Sequence, residues 1–178
     1  MTKRSLPLSR VYRLIEPGPV VLVSRIGHGA ANIMTLSWHM MVDFDTPILA
    51  CVISNRGYTF EIVKTSRECV INIPTVDLAR KVVGCGNTSG RNVDKFKKFS
   101  LTPAAAACVD VPLIEECYAN LECKVVDMKM AAKYNIFICE VVKAWIDHAQ
   151  KMPRTIHHHG RGEFVVDGKT IKLPSKMR

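Results

Sequence analysis

The sequence predicts a mainly β domain with a few short helices, arranged as an antiparallel barrel that is closed or partly open. Three observations carry this expectation. Apolar segments of strand length recur along the chain, turn signals only a few residues long join the first of them, and the alternating strand–helix pattern of a Rossmann sheet is missing.

Pro17-Gly18-Pro19 opens the folded region, and Val20–Val23 reads as a buried strand. Gly27-His28-Gly29 is a turn, and Asn32–Val42 reads as one second strand. Asp45-Thr46-Pro47 then turns the chain into Ile48–Ser54, a third strand apolar on both faces, so the first three strands imply a meander. Phe60, Val63 and Lys64 share one face of a helix over Thr59–Thr65. Glu68–Ile73 returns as a strand ending at Pro74, Val76–Val83 reads as a short helix, and Asn87–Arg91 as a loop. Asn92 or Asp94 caps a further short helix carrying Phe96 and Phe99. Tyr118–Asp127 and Ile136–Asp147 are two longer strands, and Phe164–Val166 and Thr170–Leu173 flank a hairpin turn at Asp167-Gly168. The whole is one domain, with a core over 17–147 and a C-terminal hairpin over 160–174.

At 178 residues and 48% hydrophobic, the chain has enough apolar surface for one packed domain and too much for a disordered one. Its longest apolar runs, Val20–Val23 and Ala104–Val109, fall far short of the roughly 20 residues of a membrane helix. Charges and a proline in Met1–Pro7 oppose a signal peptide, so a cytoplasmic location is expected. Seven cysteines, none in a C-x-x-C pair, read as buried reduced thiols rather than zinc ligands. The net charge of +9 attracts anions in general, but no segment alternates basic and aromatic residues, so no nucleic-acid partner is expected.

The most informative stretch is Ser54-Asn55-Arg56-Gly57-Tyr58-Thr59. A strand ends, a glycine turns the backbone and a helix begins, aiming N–H groups outward beside two hydroxyls and a guanidinium. That chemistry suits a phosphate monoester. The same residues equally fit a helix capped by Thr59 with Arg56 in solvent. Asn32–His39 interleaves polar with large apolar side chains and, by itself, fits a half-buried strand with a satisfied histidine. Gly84–Gly90 lacks both the dinucleotide fingerprint and the P-loop, but suits a flap over a ligand, followed by Arg91 and Lys95. His157-His158-His159 on an extended segment points in alternating directions, which opposes a metal site and leaves one histidine as a candidate for a ligand's edge. No hydrolytic acid–base motif is present, a pattern that leaves the chemistry to a cofactor.

Taken in order, Asn32–Trp38, Asp45-Thr46-Pro47, Ser54–Thr59, Ser66–Pro74, Ser89–Phe96, Leu121-Glu122-Cys123 and Ile136–Val141 resemble the flavin reductase-like family, especially its flavoredoxin-like members. The resemblance implies an FMN-binding split β-barrel that forms a homodimer with flavin at or near the interface. Carried over by position, Asn32, Met34, Thr35 and Ser37 would line the isoalloxazine, and Ser54, Arg56 and Thr59 would bind the phosphate. Asn72 would lie nearby, and Ser89, Gly90, Arg91 and Lys95 would close over the ligand. The implied reaction is hydride transfer from NAD(P)H to flavin, then on to a small-molecule or protein acceptor, with no catalytic side chain in the hydride step. Two departures stand out. Ala132-Lys133-Tyr134-Asn135 replaces a Gly-Asp-His common among relatives, where the histidine helps place nicotinamide, and Cys139 replaces a glycine. The first departure keeps a second reading open, a non-enzymatic FMN-binding electron carrier with poor nicotinamide turnover.

Overall fold

The computed structural model describes residues 3–11 and 19–174, so Pro17 and Gly18 lie outside the described residues. In chain order the elements are β1 (Lys3–Leu6), β2 (Val21–Gly27), β3 (Ala30–Leu36), β4 (His39–Asp43), β5 (Ile48–Val52), α1 (Thr59–Ser66), β6 (Glu68–Ile73), α2 (Ala79–Asn87), α3 (Lys95–Lys98), β7 (Pro103–Ala104), β8 (Leu113–Ile114), β9 (Ala119–Asp127), α4 (Ala131–Tyr134), β10 (Ile136–Asp147), β11 (Ile156–Gly160) and β12 (Glu163–Val166).

The main sheet has the order β3-β2-β6-β9-β10-β5-β4. All its pairings are antiparallel, and the long β10 also pairs with β1 near its end. Its two outermost strands, β3 and β4, are separated in sequence only by Ser37 and Trp38. Ends that close in the chain force the sheet to curl round on itself. Because β3 and β4 do not pair, the barrel is split between them.

Side chains spaced by two residues fill the interior: Val21 and Val23, Leu49 and Cys51, Cys69 and Ile71, Leu121 and Cys123, Phe137 and Cys139. α1 closes one end, with Phe60 packed edge-on to Phe137 at 5.2 Å between ring centres. The opposite face of β2 and β3, through Leu22 and Ile33, packs against Val82 and Cys85 of α2, Phe96 of α3 and Ile156 of β11. Six cysteines are buried and Cys108 is exposed, all seven as free thiols.

Four sequence expectations need correction. The single strand over Asn32–Val42 is two strands, paired to different neighbours at opposite ends of the sheet, so no meander forms. The helix expected over Val76–Val83 is one 3₁₀ turn continued by α2 as far as Asn87. It runs through Gly84, where a Cβ would lie 2.4 Å from the Phe99 ring, so the missing side chain makes room for that packing. The C-terminal hairpin spans β11 and β12 rather than 160–174. It turns at Arg161-Gly162, both in left-handed backbone (φ 51° and 80°), the geometry of a tight hairpin turn. Asp167 instead accepts hydrogen bonds from the Thr155 amide and hydroxyl and sits 2.9 Å from His157 Nε2, which pins the hairpin's base.

Candidate functional site

The segment after β5 is a tight turn held from behind. Gly57 N–H donates to Ser54 O at 2.9 Å and Arg56 N–H to Ser54 Oγ at 3.3 Å. Asn135, in left-handed backbone at the end of α4, accepts from Ile53 N–H on its carbonyl and from Asn55 N–H on its side chain. The departure at 133–135 therefore has a structural job: Asn135 braces the turn, while Tyr134 is exposed beneath the Lys133 ammonium at 5.1 Å.

α1 begins at Thr59 with Tyr58 in the capping position and no side-chain cap. Thr59 is therefore not the helix cap that one reading of this turn required. Its hydroxyl accepts a hydrogen bond from Arg25 Nε at 3.2 Å. Arg25 is 1% exposed, and among the described residues no carboxylate pairs with it. Its guanidinium stacks over Tyr58 at 4.7 Å, and Arg91 stacks on the same ring at 5.3 Å. Burial lowers the Arg25 pKa from its ordinary value, with Tyr58 opposing.

The loop over 88–94 is tethered across this turn. Asn32 Nδ2 donates to Gly90 O at 3.0 Å and to Val93 O at 2.9 Å. A Cβ on Gly90 would sit 2.8 Å from Asn32 Cγ, so only glycine permits that approach. Lys95 is buried and donates to Ile33 O and Cys85 O, both at 2.7 Å, which ties α3 to β3 and α2. Burial lowers its pKa first; Cys85 opposes that shift and the Arg25 charge adds to it. Burial also raises the Cys85 thiol to about 11, which leaves it protonated and inert at neutral pH.

Between turn and loop lies a cleft of about 380 Å³. Arg25, Arg56, Arg91 and Lys95 line it, and among the described residues no aspartate or glutamate does. Such a set, with the first turn of α1 beside it, attracts a multiply charged anion and discriminates against cations. Nine sequence-nominated residues line this cleft: Met34, Thr35, Ser54, Arg56, Thr59, Ser89, Gly90, Arg91 and Lys95. Asn32 stands behind the loop as its tether, and Ser37 lines an adjoining depression. The hydroxyl of Thr35 donates to Val82 O at 2.7 Å, fastening α2 to β3.

Asn72 is the correction. Its side chain is fully buried in the barrel wall, donating to Leu22 O, Ser24 Oγ and Val70 O. It accepts from Ile114 N–H and Asn120 Nδ2, so the β2–β6–β9 crossing consumes all its polar capacity. Asn72→Ala is expected to lower unfolding stability by about 2–4 kcal/mol in urea titrations, by stranding those partners, and to leave ligand binding in the cleft unchanged. Arg25 and Tyr58 are among the cleft residues that the sequence did not single out as ligand-binding. The signal for Arg25 was an arginine two positions after the apolar run Val20–Val23.

Residues 12–164 match the family model described as the flavin reductase like domain. A crystal structure of an FMN-binding domain of a flavin reductases-like enzyme from Shewanella baltica superposes with a TM-score of 0.90 at 28% identity, covering 97% of this chain and 98% of that one. Flavoredoxin of Desulfovibrio vulgaris shares the fold, with a TM-score of 0.80 at 23% identity over 89% and 91% of the two chains. The uncharacterized protein YddH of Escherichia coli is 30% identical over 181 aligned residues, which cover 93% of this chain and 95% of its own.

Proposed function

The chain belongs to the flavin reductase-like family, and on that premise we propose that it is an FMN-dependent oxidoreductase that accepts electrons from NADH or NADPH and delivers them to an acceptor. The observation that carries the reading is the cleft's lining, with four cations beside one helix start and no acid among the described residues. The Shewanella baltica relative, described as an FMN-binding domain, supports it.

In this reading Ser54, Arg56, Thr59 and Arg25 hold the phosphate, and Ser89, Gly90, Arg91 and Lys95 cover it. Met34, Thr35 and Ser37 of the β3 segment border the ring system. FMN, when bound, supplies the two-electron redox centre. The protein's own work is binding and exclusion. Arg25 and Lys95 bring positive charge into a region screened from water, where it acts strongly on an anion. The Asn32 tether keeps the 88–94 loop over the cleft. Tyr58, between two guanidiniums, orders Arg91 at the rim.

Tyr134 and Asn135 favour a second reading, an electron carrier that turns over nicotinamide poorly, since Asn135 is spent on bracing the turn. An absorbance spectrum of the purified protein with and without added FMN, followed by NADH and NADPH oxidation, separates the possibilities. Flavin binding with turnover above the flavin-only background supports the reductase. Binding without turnover supports the carrier. A protein that neither carries nor binds flavin ends both.

Dimerisation belongs to the same proposal. Trp38, Met40 and Val42 are 71%, 61% and 51% exposed and fall on alternate residues at the open edge of the split barrel. An apolar stripe on an edge strand, paired on one side only, calls for a partner, here a second copy. Met40→Glu is expected to convert a dimer to a monomer in sedimentation velocity at micromolar concentration; an unchanged dimer would place the interface elsewhere. Among the described residues no helix is long and apolar enough to cross a membrane. A cytoplasmic location is part of the proposal.

A further inference from the structure

Lys95 is 4% exposed, and among the described residues no carboxylate pairs with it. An ammonium carries three N–H donors. Two of them go to Ile33 O and Cys85 O, and the side chain lines the cationic cleft. Those two acceptors fix where along the cleft the charge sits. Ile33 precedes Met34 on β3, and Cys85 precedes Gly86, where a Cβ would lie 3.3 Å from the Thr35 side chain. Lys95 is therefore anchored beside Met34 and Thr35, whereas Arg25 is anchored to the Thr59 hydroxyl at the start of α1. Two neutral carbonyls compensate a charge screened from water only in part. Burial disfavours the ammonium, the Cys85 thiol opposes that effect, and the neighbouring Arg25 charge adds to it.

We infer that Lys95 sets the redox balance of the site: its ammonium is the counter-ion for the negative charge that reduction places on the flavin ring. The inference rests on flavin occupying the cleft. An oxidised isoalloxazine is neutral. Two electrons and one proton from the donor leave it with one net negative charge, and a second proton would be needed to remove that charge. A fixed cation in a pocket screened from water stabilises the anionic ring and does little for the neutral one. The phosphate bears the same charge in both states, so a cation acting on it leaves the balance between them where it was. Lys95 and Arg25 thereby divide the work, one favouring the reduced ring and the other holding either state.

The test is the midpoint potential of the flavin-loaded protein, read against a reference dye with xanthine and xanthine oxidase as the reductant. Lys95→Gln keeps an N–H donor for the carbonyls and removes the charge. Reduced flavin is expected to lose about tenfold or more in affinity relative to oxidised flavin, which moves the potential about 30 mV or more to the negative. Riboflavin in place of FMN should show the same shift, since it lacks the phosphate. A second measurement needs no variant. In the wild-type protein the potential should change by about 30 mV per pH unit into mild acid, the slope of one proton per two electrons, because the ammonium keeps the second proton off the ring. An unshifted potential in Lys95→Gln, a shift seen with FMN but not with riboflavin, or a two-proton slope in the wild type would overturn the inference. A chain that binds neither flavin would instead overturn the proposed function.

Discussion

Arg25→Met is expected to weaken FMN binding about a hundredfold, close to 3 kcal/mol, and to raise the melting temperature of the FMN-free protein. The two effects have opposite signs for one reason. Arg25 is 1% exposed, donates to a threonine hydroxyl at 3.2 Å and lies over the face of Tyr58 at 4.7 Å. A buried charge without a counter-ion opposes folding, and methionine, of similar length, removes that opposition without leaving a large void. An arriving phosphate supplies the counter-ion, so the same substitution removes a charge-assisted contact from the complex. Flavin fluorescence titration and a thermal melt of the flavin-free variant read the two halves independently. A variant that melts lower and binds FMN normally would make Arg25 a structural residue.

Asn32→Asp is the second large effect. Asn32 faces the carbonyls of Gly90 and Val93 with two N–H donors, at 3.0 and 2.9 Å. An aspartate of the same shape presents an acceptor to two acceptors, and the 6% exposed site gives water little access to relieve them. The expected cost is about 2–4 kcal/mol, taken up by release of the 88–94 loop rather than by the barrel. Amide hydrogen exchange should accelerate across 88–94, with β6, β9 and β10 protected as before. FMN affinity should fall, since Ser89, Gly90 and Arg91 travel with the loop. Unaltered exchange in that loop would show that its position does not depend on Asn32.

Much of the fold was legible because its strands are apolar segments of strand length, bounded by turn signals. Glu68–Ile73, Tyr118–Asp127 and Ile136–Asp147 appear as β6, β9 and β10 with ends shifted by at most one residue. The break between β3 and β4 was not legible. Leu36-Ser37-Trp38-His39 has no glycine or proline, and the break is made by tertiary contacts: His39 Nε2 lies 2.6 Å from Pro19 O, and Val52 N–H donates to Trp38 O at 2.9 Å. In the site, Ser54, Arg56 and Thr59 were legible because a turn with hydroxyls and an arginine before a helix is a local pattern. Arg25 was not, because its burial follows from α1 and the 88–94 loop covering one end of β2, a non-local arrangement. Asn72 was misread from its position in the family pattern. Its flanks, Ile71 and Ile73, are both fully buried, and an asparagine between them on a wall strand becomes a hydrogen-bond hub rather than a cleft residue.

The central claim is that the cleft grips FMN by its phosphate. Parallel titrations of the flavin-free protein with FMN and with riboflavin test it most directly, since the two ligands differ only in that group. FMN is expected to bind about a hundredfold tighter or more, in line with two or more charge-assisted contacts, and the gap should shrink in Arg25→Met. Equal affinities, or a gap untouched by removing Arg25, would contradict the account.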